Sequence, residues 1–197
     1  MMKKNVAILI FDDAEVLDFS GPFEVFSVTS QINEDLFYNV FTISEKTDLI
    51  KAVNGLKVQP DFSTENHPHI DILIISGGQG TRTIMNNERL LNWIYSVYNR
   101  GSLIVSICSG SRLIGKLGLL NEKKYCTHHQ VYDSMEQIVI NGFPQKHKRF
   151  IQSDERIYTS GGISAGIDLS FHIIQKELGE NIAQKTADYM EYRVQYL

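Results

Sequence analysis

Cys108 is set in Ser106-Ile107-Cys108-Ser109-Gly110, directly after the apolar run Leu103-Ile104-Val105 and before Ser111-Arg112-Leu113-Ile114-Gly115-Lys116, which reads as a helix. A short apolar run rich in β-branched residues suits a buried strand. Small residues on both sides of the thiol permit the sharp, strained turn that lifts a nucleophile out of an α/β sheet. A helix starting there aims its positive end at the sulfur, which predicts a thiolate favoured below the free-thiol pKa of about 8.5. Cysteine is also among the most buried residue types, so a role as plain core is the competing reading.

Three other segments carry candidate chemistry. Gly77-Gly78-Gln79-Gly80 follows the strand Ile72 to Ile75. It lacks the lysine and serine of a P-loop and the spacing of a dinucleotide fingerprint. The N–H of Gly78, paired with that of Ser109, predicts an oxyanion hole beside the thiol, against the simpler reading of a flexible turn. Asp18 ends the turn Ala14-Glu15-Val16-Leu17-Asp18, where it could act as an acid or merely cap a helix, with Glu15 and Asp13 as competing acids on the same loop. In Cys126-Thr127-His128-His129, neighbouring histidines on an extended segment would point to opposite faces. No CxxC or HxxxH spacing completes a metal site, so no metal is expected; His128 is a candidate base or orienter for Cys108.

The elements that must position these residues alternate. Strands are predicted over Val6 to Phe11, Tyr38 to Ile43, Val53 to Gln59 around Asn54-Gly55, Ile70 to Ile75, Leu103 to Ile107, a short piece around Tyr125, and Arg156 to Ser160. Helices are predicted over Asp18 to Val28, Glu88 to Arg100, onward from Ser109, Gln130 to Ile138, Gly166 to Leu178 and Glu180 to Tyr192. Over Glu88 to Arg100, Leu90, Leu91, Ile94, Val97 and Tyr98 share one helical face, with Gly101 as a C-terminal stop. Strands alternating with helices predict an α/β fold, a mostly parallel sheet with helices on both faces and ligands at the carboxyl edge.

Composition narrows the partners. The chain has 197 residues, 43% of them hydrophobic, and a net charge of −4, with Lys and Arg scattered singly. One domain over 1–197 is expected, and no basic stripe offers itself to nucleic acid. No apolar stretch approaches the roughly 20 residues needed to span a bilayer. The N-terminal apolar run ends at Asp12-Asp13 and reads as a strand rather than a secretory signal. With two cysteines, Cys108 and Cys126, no disulfide framework is indicated, and a cytoplasmic location is expected.

Taken together, several motifs carry a family resemblance. They are Asp18 with Gly21-Pro22, Ser76-Gly77-Gly78-Gln79-Gly80, Cys108-Ser109-Gly110-Ser111, Leu117-Gly118-Leu119-Leu120, Thr127-His128, and the run Thr159-Ser160-Gly161-Gly162-Ile163-Ser164-Ala165-Gly166-Ile167-Asp168. The chain resembles the ThiJ/PfpI superfamily, and within it the isonitrile hydratase branch and the amidotransferase-like domains that precede AraC-type DNA-binding domains. The resemblance implies a flavodoxin-like three-layer sandwich, a homodimer, a small-molecule substrate and no cofactor. It makes Cys108 the nucleophile and Asp18 its acid, with Ser109 where the hydratase branch commonly has threonine and His129 where tryptophan is usual. The peptidase subgroup is less similar, because its histidine directly follows the nucleophile and Ser109 stands there instead. The implied reaction is hydration of an isonitrile to a formamide. The alternatives are glyoxalase-like or amide hydrolysis through Cys108 and His128, and a redox or ligand sensor at Cys108.

Overall fold

The computed structural model describes residues 3–194. Seven strands form the central sheet: β1 (Lys4–Leu9), β2 (Tyr38–Ser44), β3 (Phe62–Ser63), β4 (Ile72–Ile75), β5 (Leu103–Ser106), β6 (Phe150–Asp154) and β7 (Ile157–Ser160). Their order is β6-β7-β5-β4-β1-β2-β3, and every pairing is parallel except β6 with β7. The central strands are continuous apolar runs; all four residues of β4 are buried, as a strand covered on both faces requires. The helices are α1 (Val16–Gln31), α2 (Thr81–Ile84), α3 (Glu88–Asn99), α4 (Ser111–Lys116), α5 (Tyr132–Glu136), α6 (Ala165–Leu178) and α7 (Glu180–Tyr189). α1 packs with α6 and α7, while α4 packs with α2 and α5, so helices flank the sheet in a flavodoxin-like α/β arrangement.

Register decides where the loops meet. Leu9 pairs with Ile75, Ile75 with Ser106, and Ser106 with Thr159, so four parallel strands end side by side. The segments that follow them, carrying Asp18, Gly77, Cys108 and Gly162, therefore leave one edge together.

Several elements differ from the sequence expectation. The segment around Asn54-Gly55 is a hairpin turn between Ile50–Lys51 and Lys57–Val58, not a strand, because Asn54 (φ 62°) and Gly55 (φ 91°) both take the left-handed region that a tight hairpin demands. The strand at Tyr125 pairs only with Phe143–Pro144, outside the main sheet. β6 was not legible, since Phe150–Asp154 is half-buried at an edge and shows no continuous apolar run. The helix after the cysteine begins at Ser111, because Cys108–Gly110 forms a 3₁₀ turn first.

Candidate functional site

The elbow is built by strain and by a missing side chain. Cys108 has φ 55°, a left-handed conformation that costs a non-glycine residue on the order of 1–3 kcal/mol and persists only where its surroundings enforce it. They do so here at both ends of the residue. The Cys108 N–H donates to the Gly161 carbonyl (3.1 Å), and its own carbonyl accepts from the Thr127 hydroxyl (2.9 Å). Gly110 lets the turn close onto β4, for a Cβ there would lie 2.5 Å from the Ile75 carbonyl oxygen.

Asp18 faces the thiol from the first turn of α1. Its side chain is fully buried, and it caps nothing in its own helix. Instead Oδ2 accepts from the Gly77 N–H and Oδ1 from the Ile163 N–H, each at 3.0 Å, and the carboxyl also accepts from the Cys108 thiol. Burial pushes Asp18 up to about 7, against the pull of those three donors. The Cys108 thiol is pushed up to about 12, first by burial and then by the neighbouring Asp18 charge. A thiolate lowered by a helix end is therefore not what the fold supplies: the six-residue α4 starts beyond a 3₁₀ turn, and desolvation outweighs the donors from Ser109. Two buried groups this close hold one negative charge between them at most near neutrality, so their titration belongs to the pair.

That shift has a consequence for stability. A folded Asp18 pKa above the ordinary 3.8 means the native state keeps a proton that the unfolded chain releases. Its contribution thus falls as pH rises from about 4 to about 7, by up to about 1.4 kcal/mol per pH unit. Urea titrations across this window are expected to show a more negative slope of unfolding free energy against pH for wild type than for Asp18→Asn; equal slopes would count against the buried protonated acid.

Ser109 lies on the other side of the thiol. Its hydroxyl accepts from the Gly78 N–H (2.9 Å), donates to the Gly78 carbonyl (3.0 Å), and lies 3.2 Å from the Thr81 hydroxyl. The Gly78 N–H, expected as an oxyanion donor, is thus engaged by Ser109, while the Ser109 N–H is directed at the sulfur. Gly78 (φ 122°) admits no side chain, since a Cβ would lie 2.2 Å from the Asp13 carbonyl oxygen.

His128 and Cys108 line the same cavity, which also includes Glu15, Arg82, Arg112 and Ile163 and has a volume of about 230 Å³. The two are separated by Gly162, where a Cβ would fall 2.3 Å from the His128 ring and 3.2 Å from the Cys108 sulfur. The ring's Nδ1 faces the Gln130 N–H (3.3 Å), and burial lowers the His128 pKa, with His129 adding to the shift. His128 and His129 do not point to opposite faces: their rings lie 4.2 Å apart, because the segment turns here instead of extending. Among the described residues no group of three or more His, Cys, Asp or Glu could hold a metal.

Sequence reasoning missed Gly77, Ile163, Thr81, Thr127 and Arg112 as contributors. Gly77 was within reach, as part of a glycine loop at a strand end. Ile163 carries no signal, because a β-branched residue at φ 57° contradicts local preference, and its N–H is what the site uses. At Gly77 a Cβ would meet Asp18 Oδ2, Cys108 Cβ and the Ser109 nitrogen, each at 2.7 Å. Gly77→Ala is expected to destabilise the fold by about 1–3 kcal/mol, because it forces apart packed groups that include backbone. Chemical denaturation would show it as a lower midpoint with an unchanged slope.

A mostly parallel sheet that presents a strained cysteine against a buried aspartate at its carboxyl edge defines a flavodoxin-like α/β protein with a strand-to-helix cysteine elbow. The chain belongs to the DJ-1/PfpI family, which residues 4–176 match. It is 28% identical over 193 residues to the isonitrile hydratase of Pseudomonas putida, covering 97% of this chain and 79% of that one. It is 23% identical over 191 residues to the HTH-type transcriptional regulator GbdR of Pseudomonas aeruginosa, covering 96% of this chain but 51% of the regulator, about half its length. The fold superposes on a THiJ/PfpI family protein from Pseudomonas syringae with a TM-score of 0.86 at 23% identity, over 98% of this chain and 76% of that one. No helix among the described residues is long and apolar enough to cross a membrane.

Proposed function

We propose that the protein hydrates small organic isonitriles to N-substituted formamides at Cys108. The observation that carries this reading is the hydrogen-bonded Cys108–Asp18 pair, whose cysteine lines a cavity and which holds one labile proton close to neutral pH. An isonitrile is neutral, and its terminal carbon must gain both a nucleophile and a proton. With the pair singly ionised, the proton passes from the Cys108 sulfur to Asp18 as the sulfur attacks, and a C–S bond forms at that carbon. Asp18 then protonates the same carbon, giving a thioformimidate on Cys108. The Asp18 carboxylate next draws a proton from water as its oxygen adds to the carbon, and passes that proton to the substrate nitrogen. The C–S bond then breaks as the adduct's hydroxyl becomes the formamide carbonyl, and the hydroxyl proton returns to the Cys108–Asp18 pair. The Ser109 N–H, directed at the sulfur, steadies the charge as it leaves.

The similarity to the hydratase of Pseudomonas putida supports this choice among cysteine chemistries. The test is formamide formation from a panel of small isonitriles, read by mass spectrometry. No turnover at enzyme levels that give a clear signal with a bona fide hydratase would sink the reading. A hydrolytic reaction through His128, which lines the same cavity, makes an opposite prediction: His128→Ala would then abolish activity and Asp18→Asn would spare it.

A further inference from the structure

Arg112 is buried, with 6% of its surface exposed, and it lines the cavity that holds Cys108. Its position is costly by ordinary rules. A guanidinium removed from water loses several kcal/mol of solvation unless an opposite charge compensates. None of the ion pairs among the described residues involves Arg112, or Arg82, which lines the same cavity. Arg112 is instead held by hydroxyls: Nη1 donates to Thr81 Oγ1 (3.0 Å) and Nη2 to Ser134 Oγ (3.2 Å). Those two bonds fix the plane of the fork and satisfy two of its five N–H donors, and neither brings it a negative charge; the nearby Cys108 is the one anionic group that favours its charged form. Thr81 also contacts Ser109 Oγ at 3.2 Å, so the fork is tied to the shell around the thiol. Among the described residues that line the cavity, Glu15 is the one carboxylate, while Asp18 is fully buried and shares its charge with Cys108.

We propose that this cavity takes small molecules bearing a carboxylate, which the Arg112 fork grips while Arg82 adds attraction. The proposal rests on the reading of Cys108 as a small-molecule site and names the class of its ligand. A planar fork with N–H groups to spare suits the two oxygens of a carboxylate. The volume of about 230 Å³ is roughly eight times a water molecule's share of the liquid, which admits a compact acid such as isocyanoacetate.

Binding is measured by calorimetry on Cys108→Ala protein, which cannot turn the ligand over, with isocyanoacetate, neutral isocyanoacetamide and inorganic phosphate at matched ionic strength. The expected result is at least about tenfold tighter binding of the carboxylate than of the amide, lost in Cys108→Ala carrying Arg112→Met and partly kept with Arg112→Lys. Equal binding of acid and amide would overturn the proposal, as would preference for phosphate over the carboxylate. If Arg112→Met does not fold, the acid-to-amide ratio in the Arg112-intact protein decides alone. The hydratase reading fails separately: wild type that turns over neither isonitrile, while Cys108→Ala still selects the acid, loses the reaction and keeps the ligand class.

Discussion

Cys108→Ala is expected to abolish formamide production, lowering kcat/KM on the order of 10⁴-fold or more, as loss of a covalent nucleophile does elsewhere. Neither Ser109 nor Cys126 is placed to replace the sulfur. Ser109 Oγ is tied to both the N–H and the carbonyl of Gly78, and Cys126 is buried with its sulfur against the Gln145 and Lys148 carbonyls. The substitution leaves the elbow's backbone supports in place, because the Cys108 N–H bonds Gly161 and its carbonyl is held by Thr127, both without the side chain. Thermal unfolding should therefore shift by only a few degrees, on the order of 1 kcal/mol for a lost buried sulfur. A variant that unfolds at the wild-type temperature yet retains formamide synthesis would end the case for a thioformimidate. Conversely, acid-quenched wild type should carry an adduct with the full mass of the isonitrile on the peptide containing Cys108.

Asp18→Asn is the second large effect, and its signature lies in the pH profile. In wild type the pair holds one proton between the Asp18 value of about 7 and the Cys108 value of about 12. Below about 7 both groups are protonated and no nucleophile is available, so kcat/KM rises with pH through that value and then levels. Asparagine removes the carboxylate charge and hydrogen bond that raise the thiol, but burial, the largest cause, stays. The rising limb should move above the ordinary range of a free thiol while remaining under about 12. Near pH 7.5 the rate should drop about 10²–10⁴-fold, the usual contribution of a positioned acid and base. An amide nitrogen would also confront the N–H of Gly77 or Ile163, both of which need an acceptor, so one hydrogen bond is lost as well. A profile unchanged in position and height would dismiss Asp18 from the chemistry.

The strand-turn-helix around Cys108 and the glycine loop after Ile75 were legible because both rest on local chemistry: β-branched runs for buried strands, small residues for tight turns. Asp18 was named beside two competing acids, Glu15 and Asp13, and only packing separates them. α1 begins early enough to turn Asp18 inward to zero exposure, whereas Glu15 stays at the cavity border. The same limit applied to His128, whose close, tilted approach to the His129 ring depends on a turn that the two adjacent residues do not announce.

The sequence by itself determined the α/β class, the position of the elbow and the residue types available at the carboxyl edge, since apolar periodicity and turn chemistry act over a few neighbouring residues. Tertiary structure alone decided the state of the thiol and the charge of the cavity. Burial depends on what packs around a group, and it pushes Cys108 and Asp18 upward where a helix end suggested a lowered thiolate. Likewise Arg112 reads as one cation on a short helix until the fold buries it beside Cys108 without an ion-pair partner among the described residues. Solvation and pairing are sums over atoms distant in the chain, and they exist only once the strands have aligned.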